Sequence, residues 1–370
     1  MFIPVNEPLL SPEAKANAKD AIDTGWISSS GKYVTQFEAD FARIYGVRHA
    51  ITVANGTAAL HVALLSLGIG KGDEVIVPAF TMAASWLAVL YTGATPIFVD
   101  CELDTYNIDV TKIEAKITTA TKAIMPVHIY GQPCAMSEVL ALAQKHGLRV
   151  IEDAAEAHGA LYEGRRAGTL GDIGCFSFYG NKIITTGEGG MIITNDDALA
   201  DACRKFKDLH HSSIRFIHSG IGYNYRMTNM QAALGCGELL HLEEYVQKKE
   251  WMAGRYTALL SHIPGLQLPK KVLNRRNVYW MYAILIDEEM FGMDKNTLRA
   301  KLKEAGIDTR DFFYGPEQQP VLKTILKDEK FPITNYIAQR GLYVPSGLSM
   351  TEAKIRYVCK NIELLYRSQS

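Results

Sequence analysis

A lysine and an acidic residue each follow a strand-like apolar run near the middle of this sequence. Asp153 comes directly after the run that begins at Leu148, and Lys182 follows a second run over 174–179. Ser177 and Asn181 accompany the lysine, with glycines on both sides. A lysine amine, a carboxylate and small polar donors suited to an anion are the groups that pyridoxal phosphate chemistry requires.

Each of these groups has a definite role in such chemistry. A lysine forms a Schiff base with the cofactor aldehyde, and the amine that substrate displaces then moves the proton. A carboxylate that faces the pyridine nitrogen keeps it protonated, so that the ring can accept electrons. The residues alone leave another interpretation open, because an acid and a lysine at strand ends also form buried ion pairs.

The segment ANGT also offers groups that suit an anion. An apolar strand, 50–53, is followed by Asn55, Gly56 and Thr57 and then by a helix that continues to Leu67. The start of a helix offers unpaired backbone N–H groups and the positive end of its dipole, which favour a phosphate. The same Thr57 can also be an ordinary N-cap.

Strands and helices alternate through the first half of the chain. DEVIVPA, TPIFVD and AIMPVHIYG are predicted strands, and apolar periodicity predicts helices over 12–23, 35–45 and 82–91. This alternation favours a largely parallel sheet with right-handed crossovers and with ligands at the carboxyl ends of its strands. The candidate residues fall at such ends.

Chain length and a later change of pattern indicate two domains. The sequence has 370 residues, more than one ordinary core. From Met227 a long helical stretch, with a break predicted near Gly237, leads to a final third that contains one strand candidate and two helices. We therefore predict a large domain over 1–245 and a smaller α+β domain over 246–370.

Composition excludes several classes of protein. The net charge of −1 does not favour a nucleic-acid partner, and no apolar run approaches the ~18 residues of a membrane span. The six cysteines contain no CxxC pair, the ten histidines have no metal-binding spacing, and the first residues do not read as a secretion signal. We expect a cytoplasmic protein with free thiols, without a metal and without a membrane partner.

Several motifs in a fixed order resemble a known family. These are WISSSGKYVTQFE, EDAAEA, FSFYGNK, TTGEGGM, GYNYRMTN and VPSGLSM. Together they resemble the DegT-type sugar-nucleotide aminotransferases of fold type I, and within them the GDP-perosamine synthases. The resemblance implies an α/β fold: a large domain with a mostly parallel seven-stranded sheet sandwiched by helices, and a smaller α+β C-terminal domain.

The resemblance also implies roles for individual residues. Lys182 is the catalytic residue, and in similar enzymes the residue at Glu156 lies near the ring hydroxyl of pyridoxal 5'-phosphate. Many relatives carry an aromatic residue that stacks on the cofactor ring where this sequence has Met82. The sulfur of a methionine can also cover a ring. The alternative for Met82 is an ordinary core position on an amphipathic helix. The implied cofactor-binding residues are Gly56, Thr57, Met82, Asp153, Glu156, Ser177, Asn181 and Asn224.

Substrate residues and a dimer follow from the same resemblance. Ser28 and Tyr314 are expected near the sugar nucleotide, and Arg226 is expected at the glutamate carboxylate or the substrate phosphates, with a structural salt bridge as the alternative. In such dimers Asn224 reaches the partner's phosphate, which implies a homodimer with shared active sites. The sequence 315–318 is GPEQ where perosamine-type relatives usually carry a Pro-His pair, so the acceptor sugar stays open.

The implied reaction moves the amino group of L-glutamate to C4 of a nucleotide-linked 4-keto-6-deoxy sugar, for surface polysaccharides such as the lipopolysaccharide O-antigen. Three alternatives stay open. One is a UDP- or dTDP-linked acceptor aminated at C4 or C3, and another is a sugar dehydratase that uses pyridoxal or pyridoxamine phosphate. The third is a cofactor-binding protein without catalysis. Lys182 argues against the dehydratase, because some of those enzymes replace the lysine by histidine.

Overall fold

The computed structural model describes residues 2–214, 216–326 and 328–368. The strands, in chain order, are β1 His49–Val53, β2 Glu74–Pro78, β3 Thr95–Val99, β4 Thr121–Ile124, β5 Arg149–Asp153, β6 Leu161–Tyr162, β7 Arg165–Arg166, β8 Ile173–Ser177, β9 Gly190–Thr194, β10 Leu266–Gln267, β11 Arg275–Arg276, β12 Tyr282–Ile286, β13 Arg310–Asp311 and β14 Gly341–Val344.

The helices are α1 Pro12–Asp23, α2 Lys32–Tyr45, α3 Gly56–Ser66, α4 Ala84–Tyr91, α5 Met136–His146, α6 Asp197–Lys207, α7 Asn229–Leu239, α8 Leu242–Leu260, α9 Glu288–Phe291, α10 Lys295–Glu304, α11 Lys323–Leu326, α12 Pro332–Arg340 and α13 Glu352–Arg367. Within the described ranges, no helix combines the length and the apolar character that crossing a membrane requires.

A seven-stranded sheet forms the centre of the molecule. Its order is β1-β9-β8-β5-β4-β2-β3, and the pairs from β8 through β5, β4 and β2 to β3 are all parallel. Strand β9 runs antiparallel to both of its neighbours. The sheet is therefore mostly parallel, as predicted, and the carboxyl ends of its parallel strands share one edge.

Helices cover both faces of this sheet because its strands are apolar on both sides. In β2, Val75 and Val77 join a buried cluster with α3 and α4, whereas Ile76 between them joins a cluster with α5. Successive side chains of a strand point to opposite faces, so a continuous apolar run requires two covering layers. The predicted sandwich of helices around a sheet is confirmed.

A second sheet is built from the last third of the chain. Its order is β10-β12-β14-β13, every pair is antiparallel, and its apolar side chains form a core with α8, α10 and α13. The predicted domain boundary between residues 245 and 246 lies inside α8. The division into two domains stays a prediction.

Two local predictions differ from the structure for physical reasons. AIMPVHIYG forms a strand only as far as Ile124, since Pro126 has no N–H to donate and Tyr130 has a φ of 52°. The break in the long helix lies at residues 240–241, between α7 and α8, instead of near Gly237. Gly237 allows α1 to approach closely, because a Cβ there would lie 2.2 Å from the backbone nitrogen of Ala14.

Candidate active site

A cavity of about 430 Å³ lies at the carboxyl ends of β5 and β8. Its position at the edge shared by the parallel strands is where open α/β sheets bind ligands. Side chains from both sheets line it. Of the residues predicted from sequence, it brings together Gly56, Thr57, Met82, Asp153, Glu156, Ser177, Asn181 and Lys182.

Lys182 lines this cavity and is almost enclosed. Its side chain is 10% exposed, and Nζ lies 3.7 Å from Oε1 of Glu156. Nζ also lies 3.7 Å from the centre of the Trp280 ring. Burial lowers the pKa of Lys182, and the carboxylates of Glu156 and Asp153 oppose that shift. A lysine with a lowered pKa is a better nucleophile and base near neutral pH.

Asp153 is the last residue of β5, and its carboxylate is held from two sides. Its Oδ2 accepts a hydrogen bond of 2.8 Å from Oγ of Ser85, and its Oδ1 accepts one of 3.2 Å from the N–H of Ala155. Burial raises the pKa of Asp153, while these two hydrogen bonds favour the charged form. A cation placed against this carboxylate would lower its pKa again.

Glu152, the residue before Asp153, stabilises the fold through hydrogen bonds to the backbone. Its carboxylate accepts from the N–H groups of Gly168, Leu170 and Gly171 at 2.6–2.7 Å and contacts Nε2 of His128 at 2.9 Å. Adjacent strand residues point to opposite faces, so one acid faces the cavity and the other fastens the segment before β8.

Glu156 lies beside the amine in a buried position. Its Oε2 accepts a hydrogen bond of 2.7 Å from the N–H of Tyr130, and its Oε1 faces Lys182. Burial raises the pKa of Glu156 to about 7, and the positive charge of Lys182 is the largest opposing cause. Glu156 therefore holds its proton more tightly than an exposed carboxyl does, beside an amine whose own pKa is lowered.

Gly56 and Ser177 form a close-packed cradle at the start of α3. A Cβ on Gly56 would lie 2.7 Å from Cβ of Ser177, so the absence of a side chain lets the helix end meet the end of β8. Oδ1 of Asn55 caps the helix by accepting from the N–H of Ala58 at 2.8 Å. With Thr57 on the first turn, this helix end presents N–H groups and a hydroxyl to an anion.

Asn181 and Met82 both line the cavity. The backbone oxygen of Asn181 accepts from the indole Nε1 of Trp280 at 2.8 Å, and its side-chain Oδ1 is buried with no hydrogen-bond partner in the described part of the chain. Met82 is 51% exposed, so this residue does not belong to the core. A methionine at the mouth of the cavity can cover an aromatic ring.

Ser28 and Tyr314, predicted to contact substrate, are exposed and lie outside the cavity lining. The backbone oxygen of Ser28 accepts from the N–H of Asn229 at 2.6 Å, which holds the segment against the start of α7. Tyr314 is 53% exposed, and its neighbour Phe313 lines the cavity. Their contact with substrate stays a prediction.

Asn224 and Arg226 also lie outside the cavity. Oδ1 of Asn224 accepts from Nη2 of Arg226 at 2.8 Å, and Nη1 of the same guanidinium pairs with Oδ1 of Asp208 at 2.8 Å. The salt bridge considered for Arg226 is therefore present. Asn224 itself is exposed, so a role in another subunit stays a prediction.

Sequence reasoning missed the aromatic wall of the cavity. Trp280, Phe313 and Tyr343 line it together, and they come from the last third of the chain. Trp280 precedes β12, and Tyr343 lies in β14. Aromatic residues near a strand usually belong to a core, so their sequence positions did not predict a place in the cavity. Only Phe313 could have been suspected, because it is the neighbour of the predicted Tyr314.

The residues of the cavity fit pyridoxal phosphate. Gly56, Thr57 and Ser177 offer an anion cradle, Asp153 offers a carboxylate for a ring nitrogen, and Lys182 offers an amine of lowered pKa. When bound, this cofactor supplies an aldehyde that reacts with amines and a ring that accepts electrons. In the described ranges no group of three or more His, Cys, Asp or Glu residues is placed to hold a metal ion.

Fold and site together define the class of protein as a pyridoxal-phosphate-dependent aminotransferase of fold type I. The profile of the DegT/DnrJ/EryC1/StrS aminotransferase family matches residues 8–363, and the chain belongs to this family.

Individual relatives cover almost the whole chain. The GDP-perosamine synthase of Escherichia coli O157:H7 is 44% identical over 366 residues, which cover 99% of both chains. That of Caulobacter vibrioides is 43% identical over 95% of each. The crystal structure of DesV from S. venezuelae has a TM-score of 0.89 and 34% identity, covering 96% of this chain and 94% of that one.

Proposed function

We propose that this protein transfers the amino group of L-glutamate to C4 of a GDP-linked 4-keto-6-deoxy sugar, and so makes an amino sugar for a surface polysaccharide. The observation that carries the proposal is the 44% identity with a GDP-perosamine synthase over 99% of both chains. The enclosed lysine beside a carboxylate of raised pKa supports it, because transamination needs a base that can give and take a proton.

In this proposal each residue of the cavity has one task. Gly56, Thr57 and Ser177 bind the cofactor phosphate, and Asp153 keeps the ring nitrogen protonated. Nζ of Lys182 takes the proton from Cα of glutamate in the first half-reaction and delivers a proton to C4 of the sugar in the second. One site then serves two substrates in turn, which gives ping-pong kinetics.

The proposal includes a cytoplasmic homodimer with shared active sites. Next to Asn224 the chain exposes Ile214, Ile217 and Ile221, by 66%, 53% and 83%. An exposed apolar group of this kind favours a protein partner, and a second copy would cover it. The six cysteines are free and buried, which agrees with a reducing compartment.

The test uses the purified protein loaded with pyridoxal phosphate. L-Glutamate alone is expected to convert the visible absorbance band of the bound cofactor to that of the pyridoxamine form and to release 2-oxoglutarate. Equal amounts of GDP-, UDP- and dTDP-linked 4-keto-6-deoxy sugars are then added separately, and recovery of the original band is followed. Fastest recovery with the GDP sugar supports the proposal.

The GPEQ segment motivates the comparison of nucleotides. Glu317, in place of the usual Pro-His region, is only 15% exposed in its side chain and pairs with Lys330 at 3.4 Å. Fastest recovery with a UDP or dTDP sugar would transfer the proposal to that acceptor class. A band that ignores glutamate would contradict the donor, and a C3 amino product in the nuclear magnetic resonance spectrum would contradict the position.

A further inference from the structure

Trp280 reaches Lys182 from outside the seven-stranded sheet. It lies just before β12 of the four-stranded sheet, and its ring centre is 3.7 Å from Nζ of the lysine. The residue is only 4% exposed, so little water competes for the ring. A cation above a desolvated indole is stabilised by the negative face of the ring.

Three hydrogen bonds hold Trp280 in place. Its N–H donates to the oxygen of Tyr130 at 2.9 Å, and its own oxygen accepts from Nζ of Lys249 at 2.8 Å. Its indole Nε1 donates to the backbone oxygen of Asn181, the residue before Lys182, at 2.8 Å. The ring is therefore fixed from the segment after β4, from α8 and from the neighbour of the lysine itself.

The segment after β4 is shaped for this contact. Gly131 has a φ of +94°, and a Cβ there would lie 2.7 Å from Val278 and 3.1 Å from the nitrogen of Trp280. Tyr130 before it has a φ of 52°, which costs energy in a residue with a large side chain. The N–H of Tyr130 donates to Glu156 at 2.7 Å, so one peptide segment fixes both groups that contact the lysine amine.

We propose that Trp280 is a positioning residue for Lys182, which holds the amine against Glu156 and favours its protonated form. This inference rests on the catalytic role proposed for the lysine. The other titratable groups that face the amine are the buried Asp153 and His158. Burial favours the neutral amine, and the indole opposes this effect by stabilising the ammonium form. The amine can therefore hold the proton that Lys182 removes from substrate.

The first test titrates Lys182 in the cofactor-free protein. The amine is acetylated by pulses of acetic anhydride at a series of pH values, and peptide mass spectrometry reads the extent of reaction at Lys182. Trp280→Leu should lower the midpoint of this titration by about one pH unit, and Trp280→Phe by less, because benzene is a weaker partner for a cation. Trp251→Leu, at an exposed site of α8, is the matched control and should leave the midpoint unchanged.

A second test keeps the shape of the side chain, in case Trp280→Leu does not fold. Tryptophan is replaced throughout by mono-, di- and trifluorotryptophan, which progressively weaken the negative face of the ring. The Lys182 midpoint should fall stepwise with fluorine number. A midpoint that stays constant across the series, or in a folded Trp280→Leu protein, would overturn the positioning role.

These outcomes separate this inference from the proposed function. Lowered midpoints in protein that fails to react with glutamate would leave Trp280 as the positioning residue and reject the reaction. Constant midpoints in protein that aminates a GDP-linked sugar would do the reverse. In the active enzyme, the acidic limb of the pH profile of kcat should shift together with the midpoint of the Lys182 titration. Loss of a merely structural contact would not cause this shift.

Discussion

The residues that line the cavity differ from those outside it in how the chain holds them. Asp153 ends β5, and Glu156 and Lys182 follow β5 and β8. All three side chains are at most 10% exposed and are fixed by hydrogen bonds or ion pairs of the same chain. Ser28, Asn224 and Tyr314 lie on exposed segments. Contacts within one chain thus hold the side chains that line the cavity, whereas the groups expected to meet substrate or a partner subunit are exposed. Mutations should affect these two regions in different ways.

The largest effect is expected at the enclosed amine. In the proposed reaction Lys182 bonds to the cofactor and moves the proton, so Lys182→Ala should lower transamination by at least about a thousandfold. Single-turnover reduction of the visible band by L-glutamate measures this loss. The control is Lys360→Ala, an exposed lysine of α13. Normal turnover in the Lys182 variant would reject the assignment of the cavity.

The paired acids at the end of β5 should separate chemistry from folding. Asp153→Asn keeps the shape of the side chain but removes the charge that we propose faces the ring nitrogen, and kcat should fall by about a hundredfold or more with little change in stability. Glu152→Gln should instead lower the free energy of unfolding by about 3 kcal/mol, because the amide nitrogen that replaces one carboxylate oxygen cannot accept from the backbone N–H groups it then faces, and the charge that strengthens the remaining bonds is lost. The free energy of unfolding in urea and kcat are measured for both variants. Equal losses of kcat and of stability in the two variants would contradict the separate roles of Asp153 and Glu152.

Glu156 should produce a smaller effect that depends on pH. Burial raises its pKa from 4.5 to about 7, so the folded protein holds this proton more tightly than the unfolded chain. Its contribution to stability is complete below about pH 4.5 and is lost as the pH rises through about 7. Between pH 5.5 and 8, Glu156→Gln should remove about 2 kcal/mol of this decline from the free energy of unfolding of the cofactor-free protein, measured in urea. If the free energy of unfolding of Glu156→Gln declined with pH as steeply as that of the unmodified protein, another group would be responsible for the decline.

The smallest effect is expected outside the cavity. If a partner subunit uses Asn224, Asn224→Ala should weaken cofactor retention by about tenfold, the loss of one or two hydrogen bonds to a phosphate. Dialysis against buffer followed by absorbance measures the retained cofactor, with Asn296→Ala on α10 as the exposed control. Retention equal to that of the control would remove the support for shared active sites.

The parts that sequence predicted have local causes. The helix over 12–23 is found as α1, Pro12–Asp23, because its apolar spacing and its Ser11 cap lie within one short segment. Six strands of the large sheet were predicted because their apolar runs are buried on both faces, and β9 was not predicted. Asp153 and Lys182 were predicted to meet because the carboxyl ends of parallel strands share one edge.

The parts that sequence did not predict depend on contacts between distant segments. Gly237 was interpreted as a helix break, yet its role is to admit α1, which nothing near residue 237 reveals. Trp280 contacts a lysine almost a hundred residues earlier through the packing of two sheets, and the spacing of its own segment carries no trace of that contact. Side chains that meet only through tertiary packing leave no periodicity to detect.

The missing side chain at Gly56 limits how the pocket can be redesigned. An added methyl group would lie 2.7 Å from Cβ of Ser177, so the helix end and the strand end would have to move apart where we propose that the cofactor phosphate binds. A combinatorial library aimed at new acceptor sugars should therefore keep residues 56 and 177 constant and vary Phe313 and Tyr343, which line the same cavity. New sugar selectivity can then be selected without loss of the cofactor.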